Sequence, residues 1–174
     1  MTNIYYADSD DLRATIELEM LSNYFCESDR VRALRYRRSA DGYNFLLGRM
    51  LMKWGLRTNG SSDDISEITY SEVGKPSISA THFSISHSSY LVGCALDRTG
   101  EVGLDIELRS DKDLAMFRAS FTESEWHIIM QTSSPLDSFL QFWTRKEAII
   151  KALGITLGEM HAIELDSMQS ELSI

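Results

Sequence analysis

No stretch of these 174 residues approaches the apolar length needed to cross a bilayer. The opening Met1-Thr2-Asn3-Ile4-Tyr5-Tyr6-Ala7-Asp8 has neither the basic start nor the apolar run of a secretion signal, so a cytoplasmic protein without membrane contact is expected. Cysteine is scarce: Cys26 and Cys94 stand far apart without metal-ligand spacing and are expected to be unpaired, partly buried thiols with no chemistry of their own. Basic charge is also short, 17 Lys and Arg against 26 Asp and Glu, and a net charge of −9 argues against sequence-independent nucleic-acid binding, which needs a basic surface. There is no Gly-x-Ser-x-Gly elbow for a serine hydrolase. Gly74-Lys75-Pro76 is not a Walker loop, because Thr69 replaces its first glycine and Pro76 its Ser or Thr. No internal repeat or low-complexity tract is visible.

What the chain does have is 43% apolar content, enough for one compact domain or two small halves. Its charge is unevenly spread. Between Arg30 and Arg57 lie 8 basic residues and 1 acid, leaving 9 basic and 25 acidic residues elsewhere. That segment is either a surface that draws an anionic ligand or partner, or a solvated helix face.

Residues 4–6 read as a short strand, and Ser9 with Asp10 and Asp11 as the cap and first turn of a helix over 10–24. A second helix is expected from about Ser28 and, after a break at 39–42, a long core helix that carries Tyr43, Leu46, Leu47, Met50, Leu51 and Trp54 and stops at 55–60. Strands are expected at 65–70, 77–78, 82–86, 91–97 and 102–107, the last two joined by a hairpin at Arg98-Thr99-Gly100. Thr122-x-x-Glu125 is a capping box for a helix over 123–131; Asp137 or Ser138 caps the next, which ends at Gly154, and 161–165 reads as a strand. This order of elements is α+β.

Three separated places carry the chemistry. In Gly103-Leu104-Asp105-Ile106-Glu107 the alternation of Val102, Leu104, Ile106 and Leu108 puts Asp105 and Glu107 together on the opposite face. In the helix from Phe142 the period stacks Trp143, Glu147 and Lys151 one turn apart. Ser86-His87-Ser88 ends a strand with hydroxyls and an imidazole suited to a phosphate. Alone, Asp-x-Glu fits a solvated strand face and His87 a structural role. Combined, three carboxylates and a lysine suit Mg²⁺, which takes one or two carboxylates together with substrate phosphates. Lys112, by contrast, is expected on the exposed surface.

From Glu27 to Leu157 the chain resembles the 4′-phosphopantetheinyl transferase superfamily, in its Sfp-like branch. The resemblance rests on Asp29-Arg30 through Leu47-Gly48-Arg49, on Gly74-Lys75-Pro76, on residues 83–88, and above all on residues 102–107 and 142–152, where the signature motifs of the family lie. It implies a fold of two pseudo-symmetric α/β halves, residues 1–100 with nucleotide and carrier contacts and residues 101–174 with the metal site and the Lys-Glu helix. The implied activity is transfer of the phosphopantetheine arm from coenzyme A to a serine of an acyl or peptidyl carrier protein. The alternative is a non-catalytic relative that binds coenzyme A or a carrier; a generic phosphohydrolase would leave the Lys-Glu helix unexplained.

Carried over residue by residue, the resemblance makes Asp105, Glu107 and Glu147 the Mg²⁺ ligands, Lys151 and His87 phosphate contacts, and Lys75, Pro76 and Ser86 contacts to the nucleotide end. Glu147 or a metal-bound water would take the proton of the carrier serine. Asp29 and Asn44-Phe45 depart from the basic or hydroxyl residues often found at these places in the family, which leaves Arg30, Arg32 or Arg49 to meet the 3′-phosphate, with Arg32 assigned to the cofactor. Sfp-like proteins also continue past the position of Leu165. A reduced second sheet is therefore expected, or an edge strand covered by a partner, in a monomer or homodimer whose partners are an acidic carrier protein and coenzyme A.

Overall fold

The computed structural model describes residues 1–61, 64–72, 74–79 and 81–165. Its first part runs β1 (Asn3–Asp8), α1 (Ser9–Thr15), α2 (Leu18–Ser22), α3 (Glu27–Leu34) and α4 (Ser39–Thr58). Then come β2 (Thr69–Tyr70), β3 (Pro76–Ser77), β4 (His82–Ser88) and β5 (Leu91–Asp97), followed by α5 (Glu123–Gln131) and α6 (Pro135–Leu153). The architecture is α+β, as the order of elements predicts. All the strands described lie within residues 3–97.

The main sheet has the order β1-β5-β4, antiparallel throughout, with Gly93 opposite both Tyr6 and Ser86. Alternation along β4 and β5 sends Phe83, Val92, Cys94 and Leu96 to one face, where Leu47, Met52 and Leu56 of α4 cover them. Each such side chain contributes about 1.5–3 kcal/mol by leaving water. Cys94 lies in this core, where burial pushes its thiol up to about 12, whereas Cys26 is exposed; neither is the partly buried thiol expected.

The other face of β4 presents Ser84, Ser86 and Ser88, and it decides the path of residues 102–108. The amides of Leu104, Ile106 and Leu108 donate to the three hydroxyls at 3.0, 3.1 and 2.9 Å. Serine side chains thus take the place of strand carbonyls. Leu104 and Ile106 lie over Gly93, where a Cβ would come within 2.9 and 2.7 Å of them. The expected strand at 102–107 and its hairpin through Arg98-Thr99-Gly100 are therefore absent, because this segment crosses the sheet face instead of pairing with an edge. The apolar alternation still holds: Val102 is buried, Leu104 and Ile106 cover Gly93, and Asp105 and Glu107 line a crevice with Trp143, Glu147 and Lys151 of α6.

Gly103 marks the crossing with α6. A Cβ there would stand 1.7 Å from the carbonyl oxygen of Ala148, so only glycine lets the helix backbone touch the crossing segment. α6 is then fixed from behind by Lys146, fully buried, whose ammonium donates to Glu125 at 2.6 Å, to the carbonyl of Ser120 at 3.1 Å and to that of Met160 at 3.2 Å. Glu125 is also the capping-box residue of α5, accepting from the Thr122 amide. Phe117, Phe121, Phe139 and Trp143 pack against one another, and the Lys146 ammonium lies over the Phe121 ring.

Other differences have local causes. The expected helix over 10–24 is split, because Ile16 is extended and its carbonyl accepts from the Tyr43 hydroxyl at 2.8 Å. Asp8 rather than Ser9 caps α1, accepting from the Asp10 amide. α4 begins at Ser39, before the expected break ends. Residues 65–70 form a short 3₁₀ turn, Ile65–Glu67, and then β2, since Asp64 caps the turn through the Ser66 amide. Ser134 takes the N-cap position of α6 without a side-chain capping bond, its hydroxyl donating to Asp137 instead, and Pro135 stands in the first turn. The strand expected at 161–165 is replaced by a 3₁₀ turn, Leu157–Ala162, closed by a Thr156–Glu159 capping box. α5 and the left-handed Gly154 at the end of α6 are as expected. Among the described residues no helix is long and apolar enough to cross a membrane.

Candidate active site

Two adjoining crevices open where β4, the crossing segment and α6 meet. The first, of about 350 Å³, is lined by Arg32, Tyr36, Phe45, Arg49 and Tyr70, by Lys75 and Pro76, and by the end of α6. The second, of about 440 Å³, holds Asp105, Glu107 and Glu147 beside Ser86, Lys112 and the aromatic wall of Phe117 and Trp143. Ile85, His87 and Lys151 line both. Every residue assigned to the site from the sequence therefore lines one crevice or the other, including Arg32 and Pro76.

The contacts are specific. Lys151 Nζ donates to Asp105 at 2.7 Å and to the Ser86 hydroxyl at 3.0 Å, and that hydroxyl in turn donates to Asp105 at 3.0 Å. Glu107 pairs with Lys112, so Lys112 is not the exposed surface lysine expected but part of the crevice wall. The ammonium returns to a carboxylate five residues earlier in the chain. Burial raises the pKa of Glu147, as do the carboxylates of Asp105 and Glu107, with Lys151 opposing. All three carboxylates line the second crevice. Among the described residues no three His, Cys, Asp or Glu side chains are gathered into a ready metal cage.

His87 projects from β4 with its imidazole partly open to solvent. Crowding by surrounding protein atoms lowers its pKa; Asp41 opposes this and Lys151 adds to it. At neutral pH it is a neutral donor or acceptor. Lys75 does not point freely into the first crevice: its ammonium is held by Glu101 and by the carbonyl of Ala152 at the end of α6. Of the three arginines left open for the 3′-phosphate, Arg30 is tied to Glu27 outside both crevices, while Arg32 and Arg49 line the first. Sequence reasoning missed Tyr36 and Tyr70 on this wall, and Lys112. Tyr70 sits in a two-residue strand with no periodic pattern to mark it.

A sequence profile described as the 4′-phosphopantetheinyl transferase superfamily matches residues 101–172. The chain is 33% identical over 139 residues to the 4′-phosphopantetheinyl transferase AcpT of Salmonella typhi, covering 75% of this chain and 68% of that protein. The chain belongs to the 4′-phosphopantetheinyl transferase superfamily. It is also similar to the transferase gsp of Aneurinibacillus migulanus, 33% identical over 77% of this chain and 58% of that one. The transferase Sfp of Bacillus subtilis is 29% identical over 90% and 70%. The chain thus spans between about half and three quarters of the length of these superfamily members. The superfamily match includes Asp105, Glu107, Glu147 and Lys151, all within residues 101–172.

Proposed function

We propose that the chain transfers the 4′-phosphopantetheine arm of coenzyme A to a serine of an acyl or peptidyl carrier protein. The observation that carries this reading is the adjacency of the two crevices: a nucleotide-sized cavity with arginines and aromatic rings opens onto three carboxylates, with His87 and Lys151 at the boundary. The serine hydroxyl attacks the β-phosphorus, its new P–O bond replacing the one to adenosine 3′,5′-bisphosphate, which leaves. Little covalent work falls to the protein, so positioning and charge neutralisation supply most of the rate.

Asp105, Glu107 and Glu147 fit Mg²⁺ as hard oxygen donors on one wall, and Mg²⁺ needs no closed protein cage because substrate phosphates and water complete its shell. When bound there it would neutralise pyrophosphate charge. Lys151, on the border of both crevices, holds Asp105 in place and presents its remaining donor capacity to phosphate. Glu147, whose pKa burial raises, accepts the serine proton. Arg32 and His87 contact phosphate groups; Ser86 orients Asp105 and Lys151; Lys75 and Pro76 shape the nucleotide wall.

Residues 1–100 supply the nucleotide wall and the carrier surface, and residues 101–174 the metal site, in a cytoplasmic enzyme. The carrier, an acidic protein, docks on the basic segment. Arg35, Arg37, Arg38, Lys53 and Arg57 there are exposed and form no salt bridge among the described residues.

The test is to incubate the protein with coenzyme A, an apo carrier protein and Mg²⁺, then weigh the carrier. A gain of the phosphopantetheine mass that chelator abolishes is expected. Binding of coenzyme A with no mass gain would replace transfer by the non-catalytic reading.

A further inference from the structure

Three side chains from separate elements converge at the outer corner of the first crevice. Arg32 of α3 and Arg49 of α4 both donate to the hydroxyl oxygen of Tyr70 on β2, Arg32 through Nη1 at 3.0 Å. Both lone pairs of that neutral oxygen are therefore turned to cations. Arg49 is 4% exposed and its charge is offset by Asp29, to which it donates at 3.2 Å. Arg32 has no such offset: among the described residues it forms no salt bridge. Its guanidinium lies over two rings, 5.0 Å from the centroid of Phe45 and 5.5 Å from that of Tyr70.

The corner thus carries one uncompensated cation whose fork is held by a hydroxyl and two aromatic faces. A guanidinium fixed in this way meets a phosphate with two parallel donors and loses little rotamer freedom in doing so. The pyrophosphate belongs beside the carboxylates and Lys151. Arg32, Arg49 and Tyr70 line only the first crevice and not the one that holds the carboxylates, which assigns them to the nucleotide end.

We propose that Tyr70 is a positioning residue that holds Arg32 to receive a phosphomonoester at the nucleotide end, and so sets the preference for coenzyme A over its 3′-dephospho form. The inference rests on the coenzyme A reading above. Asp29 and Arg49 form the buried pillar on which the phenol oxygen is set; Arg32 makes the contact.

The test is calorimetric titration of wild type and Tyr70→Phe with coenzyme A and with dephospho-coenzyme A. Tyr70 is 47% exposed, and phenylalanine keeps the ring under Arg32 while removing only the hydroxyl, so the fold is spared. The wild type is expected to prefer coenzyme A, and Tyr70→Phe to weaken coenzyme A binding about tenfold while leaving dephospho-coenzyme A unchanged. An unaltered preference in the variant, equal weakening of both ligands, or no preference in the wild type would overturn the positioning role while leaving coenzyme A binding in place. Binding of neither ligand by the wild type would overturn the coenzyme A reading and this inference with it.

Discussion

Lys151 and Asp105, forty-six positions apart, meet at 2.7 Å, and the Ser86 hydroxyl touches both. One ammonium therefore links α6, the crossing segment and β4 at the point where the two crevices join. The link exists because Gly103 allows the backbone of α6 to approach, and because Ser84, Ser86 and Ser88 hold the crossing segment on the sheet face.

Removing charge from this contact should cost activity rather than structure. Asp105→Asn keeps the shape and hydrogen-bonding reach of the side chain, and carrier modification is expected to slow by about a hundredfold or more. Lys151→Met should also slow it, whereas Lys53→Met, on the exposed face of α4, should not. Transfer rates followed by carrier mass, with circular dichroism for folding, decide the matter. A folded Asp105→Asn at wild-type rate would reject the site, and equal effects at Lys151 and Lys53 would reduce it to bulk charge.

Lys146 is expected to matter for stability. Lys146→Met would strand the Glu125 carboxylate, which is 1% exposed, and breaking a buried pair on one side costs about 3–5 kcal/mol. Urea unfolding measures this; a loss below about 1 kcal/mol would show that Glu125 finds other partners.

The N-terminal strand is latched by Asp97, which accepts from the Thr2 hydroxyl at 2.7 Å and from the Thr99 hydroxyl and amide at 2.6 and 2.7 Å. These bonds, Thr2 first, hold its pKa well below the ordinary carboxylate range. The unfolded chain then binds the proton more readily than the folded one. The latch contributes in full above the ordinary aspartate pKa of about 4, and its contribution falls as pH drops below that value toward the folded pKa. Wild type should therefore exceed Asp97→Asn in urea midpoint at pH 7, with the gap shrinking below about pH 4. A gap independent of pH would contradict the assignment.

If the exposed arginines dock an acidic carrier, association should weaken with rising salt. Charge reversal at Arg35 and Arg38 should slow it further and leave coenzyme A affinity nearly unchanged, since neither residue lines the first crevice. Surface plasmon resonance with an apo carrier provides the rates. Weaker coenzyme A binding with carrier association intact would mean that these arginines serve the nucleotide instead.

Much of the architecture was legible because its signals are local. β5 and α5 occupy the predicted residues, and the Thr122–Glu125 box and Gly154 act as predicted, since capping and left-handed backbone depend on neighbours within a few positions. The expected strand at 102–107 misled in one respect only. Its alternation correctly separates the apolar from the acidic side, but a period of two marks extended backbone and does not say whether the partner is a strand or a row of serines. The helix over 10–24 failed for a similar reason: the Tyr43 hydroxyl that captures the Ile16 carbonyl lies 27 residues away.

For the site, sequence alone pointed to the superfamily and to the motif side chains that line the two crevices, though not to Tyr36, Tyr70 or Lys112, because motif residues have identities and spacings that can be read along the chain. Only the tertiary structure decided their company. It pairs Glu107 with Lys112, occupies Lys75 with Glu101, buries Lys146 against Glu125, and sets Arg32 and Arg49 on one phenol oxygen. Three of these four arrangements join residues twenty or more positions apart, and the exception, Lys112, returns to a carboxylate five residues earlier. The energy of such contacts depends on burial and distance in space, neither of which is written in a local period.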